Sequence, residues 1–169
     1  QTGDTDLNVV SLLQLRSKAG KAGAYVELVV SQNEGVLPSL TEFHYIKTSE
    51  NFGLGGNNIN YYLELLPNVN LSRTTVREKI DNDEKLQRAL NITSELCQLF
   101  EYHRSRYEDL LCTPKELYDD LKALGYDWNV LLDTRGFWVL ESDDRFKPFL
   151  STMDLLEMRK GLYKPYWMT

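Results

Sequence analysis

The chain has 169 residues, of which 42% are hydrophobic and 26% are charged, and its net charge at pH 7 is −6. This composition is typical of a folded globular domain, and it excludes disordered and collagen-like chains. The apolar stretches are far shorter than a bilayer span, so we expect no membrane segment. The acidic charge makes nucleic acid an unlikely partner, because phosphate contacts require a basic face. We predict a single domain over residues 1–169, with a possible sub-boundary near residues 67–73.

The first third of the chain predicts mostly β-structure. Residues 7–17 fit either a short helix or a buried strand, since their apolar spacing does not separate the two. Residues 24–31, 41–48 and 59–66 alternate in a way that favours strands; in the second of these, Phe43 and Tyr45 alternate with Glu42, His44 and Ile46. We therefore predict an antiparallel three-stranded meander that is packed by helices, which is an α+β fold.

Residues 68–113 contain neither Gly nor Pro and predict the main helical element. Ser72 or Thr74 is the expected N-cap. Polar residues at Asp83, Thr93 and Arg104 interrupt the apolar stripe and exclude a regular coiled coil. One long helix over residues 74–112 fits this pattern, and so do two helices that meet near residues 81–83.

The segment Thr113-Pro114-Lys115-Glu116 is a strong helix start, because Thr can cap the backbone, Pro suits the first turn and Glu can close a capping box. We predict a helix from about residue 114 to 124, ended by Gly125. Residues 129–132 and 137–141 flank a turn and predict a β-hairpin. Residues 150–160 predict a final helix that ends at Gly161, followed by an aromatic tail over residues 162–168.

No motif in the chain predicts a catalytic or metal site. The Gly-rich residues 53–56 lack the following helix that a phosphate loop needs, so a mobile connector is favoured. Residues 81–84 lack the glycine of a calcium loop and indicate a helix boundary. Cys97 and Cys112 fit no zinc spacing and are expected to be buried free thiols. We predict no cofactor, no metal and no catalytic residue, and we lean against an enzyme.

The preferred functional hypothesis is a non-catalytic subunit of a protein assembly. It would bind a protein partner or a second copy through the long helix and the aromatic tail. Tyr163, Tyr166 and Trp167 are the predicted partner-binding residues, together with Arg104 and Arg106, because aromatic and arginine side chains anchor interfaces. The alternative role for the tail is to seal the core of the domain itself. The order of helix, meander and helices resembles that of RWD adaptor domains and of acidic dimeric secretion chaperones.

The alternative hypothesis is a small-molecule-binding domain or enzyme, with a pocket between the sheet and the helices that uses His44 or His103. A cleft that holds either histidine beside a carboxylate would favour it. The absence of a visible signal peptide favours an intracellular protein, cytoplasmic rather than secreted.

Overall fold

The computed structural model describes residues 7–13, 25–137 and 142–168. The strands in these residues are β1 (Leu7–Leu13), β2 (Tyr25–Ser31), β3 (Gly35–Val36), β4 (Leu54–Gly56), β5 (Asn60–Leu63) and β6 (Leu66–Ser72). The helices are α1 (Pro38–Thr48), α2 (Val76–Asn82), α3 (Glu84–Tyr102), α4 (Pro114–Ala123), α5 (Trp128–Leu131) and α6 (Thr152–Arg159), with a 3₁₀ helix over Ser142–Phe146. The predicted α+β class is confirmed.

The first sheet is an antiparallel meander in the order β1-β2-β3. Residues 7–13, which fitted a helix or a strand, form the strand β1, and Val10 lies opposite Leu28 of β2. Helix α1 packs on one face of β2, where the Val29 amide donates a hydrogen bond of 3.0 Å to the Thr41 hydroxyl. The prediction of a strand at residues 24–31 is confirmed.

The prediction of a strand at residues 41–48 is wrong, since these residues belong to helix α1. Pro38 opens the first turn of this helix, where its missing N–H has no helical partner to lose. Leu40, Phe43 and Ile46 are buried at intervals of three residues. The alternating pattern placed Phe43 and Ile46 on opposite faces, whereas both face the core along one helical stripe.

The second sheet is also an antiparallel meander, in the order β4-β5-β6. The predicted strand at residues 59–66 is correct only in its first half, because β5 ends at Leu63 and the chain turns back into β6. The Gly-rich segment is not a mobile connector, because Leu54–Gly56 forms β4 and pairs with β5. The predicted sub-boundary near residues 67–73 falls on β6, and the single domain stays a prediction.

Of the two readings of the long helical segment, the pair of helices is confirmed. The break is at Asp83, whose backbone is extended and whose side chain accepts a hydrogen bond of 3.1 Å from the Leu86 amide. Helix α2 begins after Thr75, so the predicted caps at Ser72 and Thr74 are wrong. The Ser72 hydroxyl instead lies 2.8 Å from the Thr75 hydroxyl. Helix α3 ends at Tyr102, so the prediction that the helical segment continues to residue 112 is wrong, and residues 103–113 form turns and irregular structure instead.

Helix α3 runs through the core. Residues 88–94 are all buried, and because they span nearly two turns the middle of the helix has no exposed face. The helices and sheets around it contribute one continuous hydrophobic cluster, which extends from Val29 to Met158. The apolar stripe of this helix therefore belongs to the chain's own core, and the predicted contact of a partner with the long helix stays a prediction. Cys97 and Cys112 are buried and free, as predicted.

The capped helix after residue 113 is confirmed. Thr113 accepts a hydrogen bond of 3.2 Å from the Glu116 amide, and Gly125 adopts a φ of +94° beyond the end of α4. In a capping box the Glu116 carboxylate would accept a hydrogen bond from the Thr113 backbone amide. It instead accepts one from the Thr113 hydroxyl at 3.0 Å.

The predicted β-hairpin near residue 133 is wrong in its first strand. Residues 128–131 form α5, a single helical turn that Asp127 caps by accepting a 2.9 Å hydrogen bond from the Asn129 amide. Most of the second strand, residues 138–141, lies outside the described residues. The final helix is confirmed as α6. It begins with a capping box between Ser151 and Asp154, which was not predicted from the sequence. No helix in the described ranges has both the length and the apolar character needed to span a bilayer.

Candidate functional site

The predicted aromatic tail is divided between two environments. Trp167 is half-buried against the core, beside the buried Pro165. Tyr163 is partly exposed, and Tyr166 is 93% exposed. One part of the tail thus seals the domain, and the other remains available for contact with another molecule.

The predicted arginines lie in the turns that follow α3. Both are exposed, and each lies against a neighbouring ring: the Arg104 guanidinium is 5.4 Å from the Phe100 centroid, and the Arg106 guanidinium is 5.3 Å from the Tyr107 centroid. The described residues show no hydrogen bond or ring contact between these arginines and the tail. His103 is exposed beside Tyr107, with its ring centroid 6.2 Å from that of the tyrosine, and does not line a described cleft.

The first sheet presents an apolar face that sequence analysis did not single out. Residues directly opposite each other in an antiparallel pair share a face, and Glu27 and Val29 of β2 face α1. The other face carries six apolar side chains that are exposed or half-buried, and we call it the open sheet face. Its members are Val10, Leu12, Val26, Leu28, Val30 and Val36.

Strand β1 forms one edge of this sheet. Its seven residues include no charged residue, no Pro and no Gly, and it pairs with β2 without a register shift. Edge strands are normally protected by charges, prolines or bulges. Strand β1 has none of these features, and no other described strand pairs with its outer side, so its outer backbone groups offer a template for another strand.

A cleft of about 390 Å³ lies between α1, β2 and α3. Helix α1 and its C-cap contribute Thr41, Glu42, His44, Tyr45, Thr48 and Ser49; strand β2 contributes Val26 and Glu27; and helix α3 contributes Asn91, Ser94, Glu95, Gln98, Glu101 and Tyr102. This lining includes four glutamates and neither lysine nor arginine, so the cleft is strongly acidic. His44 is therefore the predicted histidine that lies in a cleft beside carboxylates.

Two pairs of side chains hold the mouth of the cleft. The His44 Nε2 atom lies 3.2 Å from the Glu27 carboxylate, which joins α1 to β2. The Tyr45 hydroxyl donates a hydrogen bond of 2.8 Å to Glu101, which joins α1 to α3. Burial raises the pKa of Tyr45, and the hydrogen bond to Glu101 acts in the same direction. Tyr45 is consequently a stable donor across the cleft.

Glu42 is the buried carboxylate of the site. Its Oε2 atom accepts hydrogen bonds from the Asn91 amide at 3.0 Å and from the Ser94 hydroxyl at 2.9 Å. Its Oε1 atom is buried and has no hydrogen-bond partner among the described residues. Burial raises the pKa of Glu42 to about 7, although these two hydrogen bonds oppose the increase. The site thus holds a carboxyl group that changes charge near neutral pH.

Arg88 is a buried cation that interacts electrostatically with Glu42, and its donors are directed into the protein. It donates to the Asn91 amide oxygen at 2.5 Å, to the Thr134 hydroxyl at 3.3 Å and to the Leu150 carbonyl. Burial lowers the pKa of Arg88 to about 10. Asn91 therefore links Arg88 to Glu42 and fixes the orientation of the glutamate.

The cleft can bind and orient a polar ligand, and its groups do not form a metal centre. No set of three His, Cys, Asp or Glu side chains in the described residues is arranged to hold a metal ion. Sequence analysis identified His44 but missed Glu27, Glu42 and Glu101. Helical spacing of Glu42, Tyr45 and Ser49 was the signal that would have found the α1 side of the cleft.

Comparisons of the chain with protein-family models, with curated proteins and with solved structures found no match.

Proposed function

We propose that the chain is a protein-interaction domain that self-associates through strand β1, the edge strand that borders the open sheet face. The observation that carries this proposal is the apolar, unprotected edge of the first sheet. Leu12 is 54% exposed, and Val26 on the neighbouring strand is 59% exposed. Contiguous apolar surface of this kind on a folded domain is typical of a site that another protein covers.

A second copy of β1 is the partner that fits this edge. Strand β1 has Val10 at its centre, so an antiparallel pair of two copies around a two-fold axis places Val10 opposite Val10. In this register Leu7 of one copy lies opposite Leu13 of the other. Each residue of the open sheet face is then opposite a residue on the corresponding face of the second copy, so the two open sheet faces lie on the same side. The two three-stranded sheets become one continuous sheet of six strands, and the two open sheet faces become one larger apolar surface.

Charge also favours this arrangement. The chain carries a net charge of −6, so most contacts between two copies bring like charges together. Strand β1 contains no charged residue, and pairing through it avoids that cost. The main-chain hydrogen bonds between the two β1 strands supply affinity, and the apolar side chains of one β1 strand contact those of the other across the new strand pair.

Sedimentation velocity of the full chain across a range of concentrations tests the proposal. We expect the wild type to form a dimer. Val10→Lys and Val10→Glu each place two like charges opposite one another and are expected to weaken the dimer at least about tenfold. Mixing the two variants places Lys opposite Glu and should restore the dimer.

Val130→Lys is the matched control, since Val130 is 43% exposed on α5 and Val10 is 41% exposed on β1. It should leave the dimer intact. A wild type that stays monomeric at all concentrations, or a mixture of the two Val10 variants that fails to associate, would refute the proposal.

The predicted tail contact is a separate hypothesis that the same measurement tests. Tyr166 is the most exposed aromatic residue of the tail. If β1 is the interface, Tyr166→Ala leaves the dimer unchanged. A dimer that is lost in Tyr166→Ala and kept in the Val10 variants would instead assign the interface to Tyr163, Tyr166 and Trp167, with Arg104 and Arg106 as further contacts.

A further inference from the structure

We infer that two β1-paired dimers pack face to face through their open sheet faces, so that the chain assembles into a tetramer. This inference rests on the proposed self-association through β1, and it identifies what covers the open sheet face in that assembly. The occupant is a second dimer of the same chain. The contact is of the sheet-on-sheet type that builds β-sandwiches.

The open sheet face stays uncovered when β1 pairs with a second copy. Helix α1 packs on the other face of β2, where Glu27 contacts His44 and the Val29 amide donates to Thr41. Pairing through β1 keeps the two open sheet faces on one side of the six-stranded sheet, so the six apolar side chains of each copy join into one surface. Because an apolar sheet face is stable when it packs on another layer, this surface requires a second layer.

The area of the surface matches what a stable interface needs only after β1 has paired. Val10, Leu12, Val26 and Val36 are 41%, 54%, 59% and 50% exposed, which corresponds to roughly 350 Å² of accessible surface on each copy. Two single copies placed face to face would cover roughly 700 Å² in total, which is too little for a specific interface. Two dimers would cover roughly 1,400 Å², which is the standard size. The tetramer therefore depends on the β1 dimer.

The charge of the face favours an identical partner over an oppositely charged one. On the described strands the face carries no charged residue, and Asn8, opposite Val30, is its one polar member. A chain with a net charge of −6 repels its own copies over most of its surface, but this face lets two dimers approach with no like charges in the contact. A charged partner finds no opposite charge on these strands.

The symmetry of the dimer makes the assembly a closed one. The two-fold axis of the β1 pair is perpendicular to the sheet, because the two open sheet faces lie on the same side. Stacking two such sheets around further two-fold axes between them gives a tetramer with dihedral symmetry, which is a common closed form. The two sheets then lie about 10 Å apart with their strands crossing at about 30°, and α1 of each copy lies in an outer layer.

Sedimentation velocity of the full chain, extended to higher concentrations, tests the inference. We expect the dimer at low concentration and a tetramer as the concentration rises. Val36→Glu on β3 and Val26→Lys on β2 each place a charge in the contact between dimers, so each should weaken the association of dimers at least about tenfold and leave the dimer itself intact. Val130→Glu is the matched control and should keep the tetramer, since Val130 lies on α5 and is 43% exposed.

The mixture of Val10→Lys and Val10→Glu separates the two proposals. Val10 belongs both to β1 and to the open sheet face, so the mixed dimer should form and should not associate further. A wild type that stays a dimer at every concentration, or a tetramer that both Val36→Glu and Val26→Lys leave intact, would overturn this inference while the β1 dimer stands. A wild type that stays a monomer would overturn both proposals.

Discussion

Replacing Glu42 by Gln should make the protein more stable at pH 8 and leave its stability at pH 4 nearly unchanged. Gln keeps an oxygen that can accept the hydrogen bonds of Asn91 and Ser94. It also places a neutral group at the position of the Glu42 Oε1 atom, which has no partner in the part of the chain that the structure describes. The substitution therefore removes the cost of burying a charge without removing the contacts that position the side chain.

The magnitude follows from the pKa of Glu42. Burial raises it from 4.5 to about 7 in the folded protein. Below pH 4.5 the Glu42 carboxyl group is neutral in both the folded and the unfolded state, so there is no cost of burying a charge and the free energy of unfolding is not reduced. Between pH 4.5 and 7 the unfolded chain ionises while the folded protein stays protonated, and the free energy of unfolding falls as the pH rises. Above pH 7 the loss is complete, at about 3 kcal/mol for a pKa difference of about 2.5.

Urea denaturation of both proteins at intervals from pH 4 to pH 8 measures this effect. The quantity of interest is the difference between the two free energies of unfolding, because Glu95 also has a pKa raised by burial and contributes to the pH dependence of both proteins. Glu108→Gln serves as an exposed control. A difference between Glu42→Gln and wild type that does not change with pH would show that Glu42 is not buried as described.

Two other predictions concern tight packing in the core. Gly53→Ala should lower the free energy of unfolding by about 2–4 kcal/mol in urea denaturation, because a Cβ atom at this position lies 2.5 Å from Thr93 Cγ2 and the backbone φ is +72°. Gly125→Ala is the control. Its Cβ atom meets no other atom within 4 Å, so it should lower the free energy of unfolding by only about 1–2 kcal/mol. Burial raises the pKa of the Cys112 thiol to about 11. At pH 8 we therefore expect a disulfide reagent to modify Cys112 at least about 100-fold more slowly in the native protein than in urea. Equal rates of modification would contradict the burial of Cys112.

The elements that sequence analysis placed correctly have local signals. Thr113 and Pro114 supply a cap and a first-turn proline within two residues, and the structure begins α4 there. Asp83 interrupts the apolar stripe and caps α3 with its own side chain. Gly161, at a φ of +72°, follows the end of α6. In each case a neighbouring residue decides the conformation, so the prediction does not depend on the rest of the fold.

The elements that were misplaced depend on distant contacts. Residues 129–132 were predicted as the first strand of a hairpin, but residues 128–131 form a helical turn in which the Trp128 indole donates to the Tyr118 carbonyl at 3.0 Å. Strand β1 was expected to be buried if it was a strand, yet most of its side chains are exposed because α1 covers only part of the sheet. Tertiary packing outweighs intrinsic β-propensity in such short segments.

The candidate cleft could not be predicted from the sequence, because residues 41–48 were assigned to a strand and form part of helix α1. In a strand, Glu42 and His44 would share a face and Tyr45 would point away from both. In helix α1, Glu42 and Tyr45 lie three residues apart on the side that meets α3, where they contact Ser94 and Glu101 respectively. His44 lies on the adjoining stripe and meets Glu27. The helix thus turns three side chains towards two different elements, and only this geometry encloses a cavity between them.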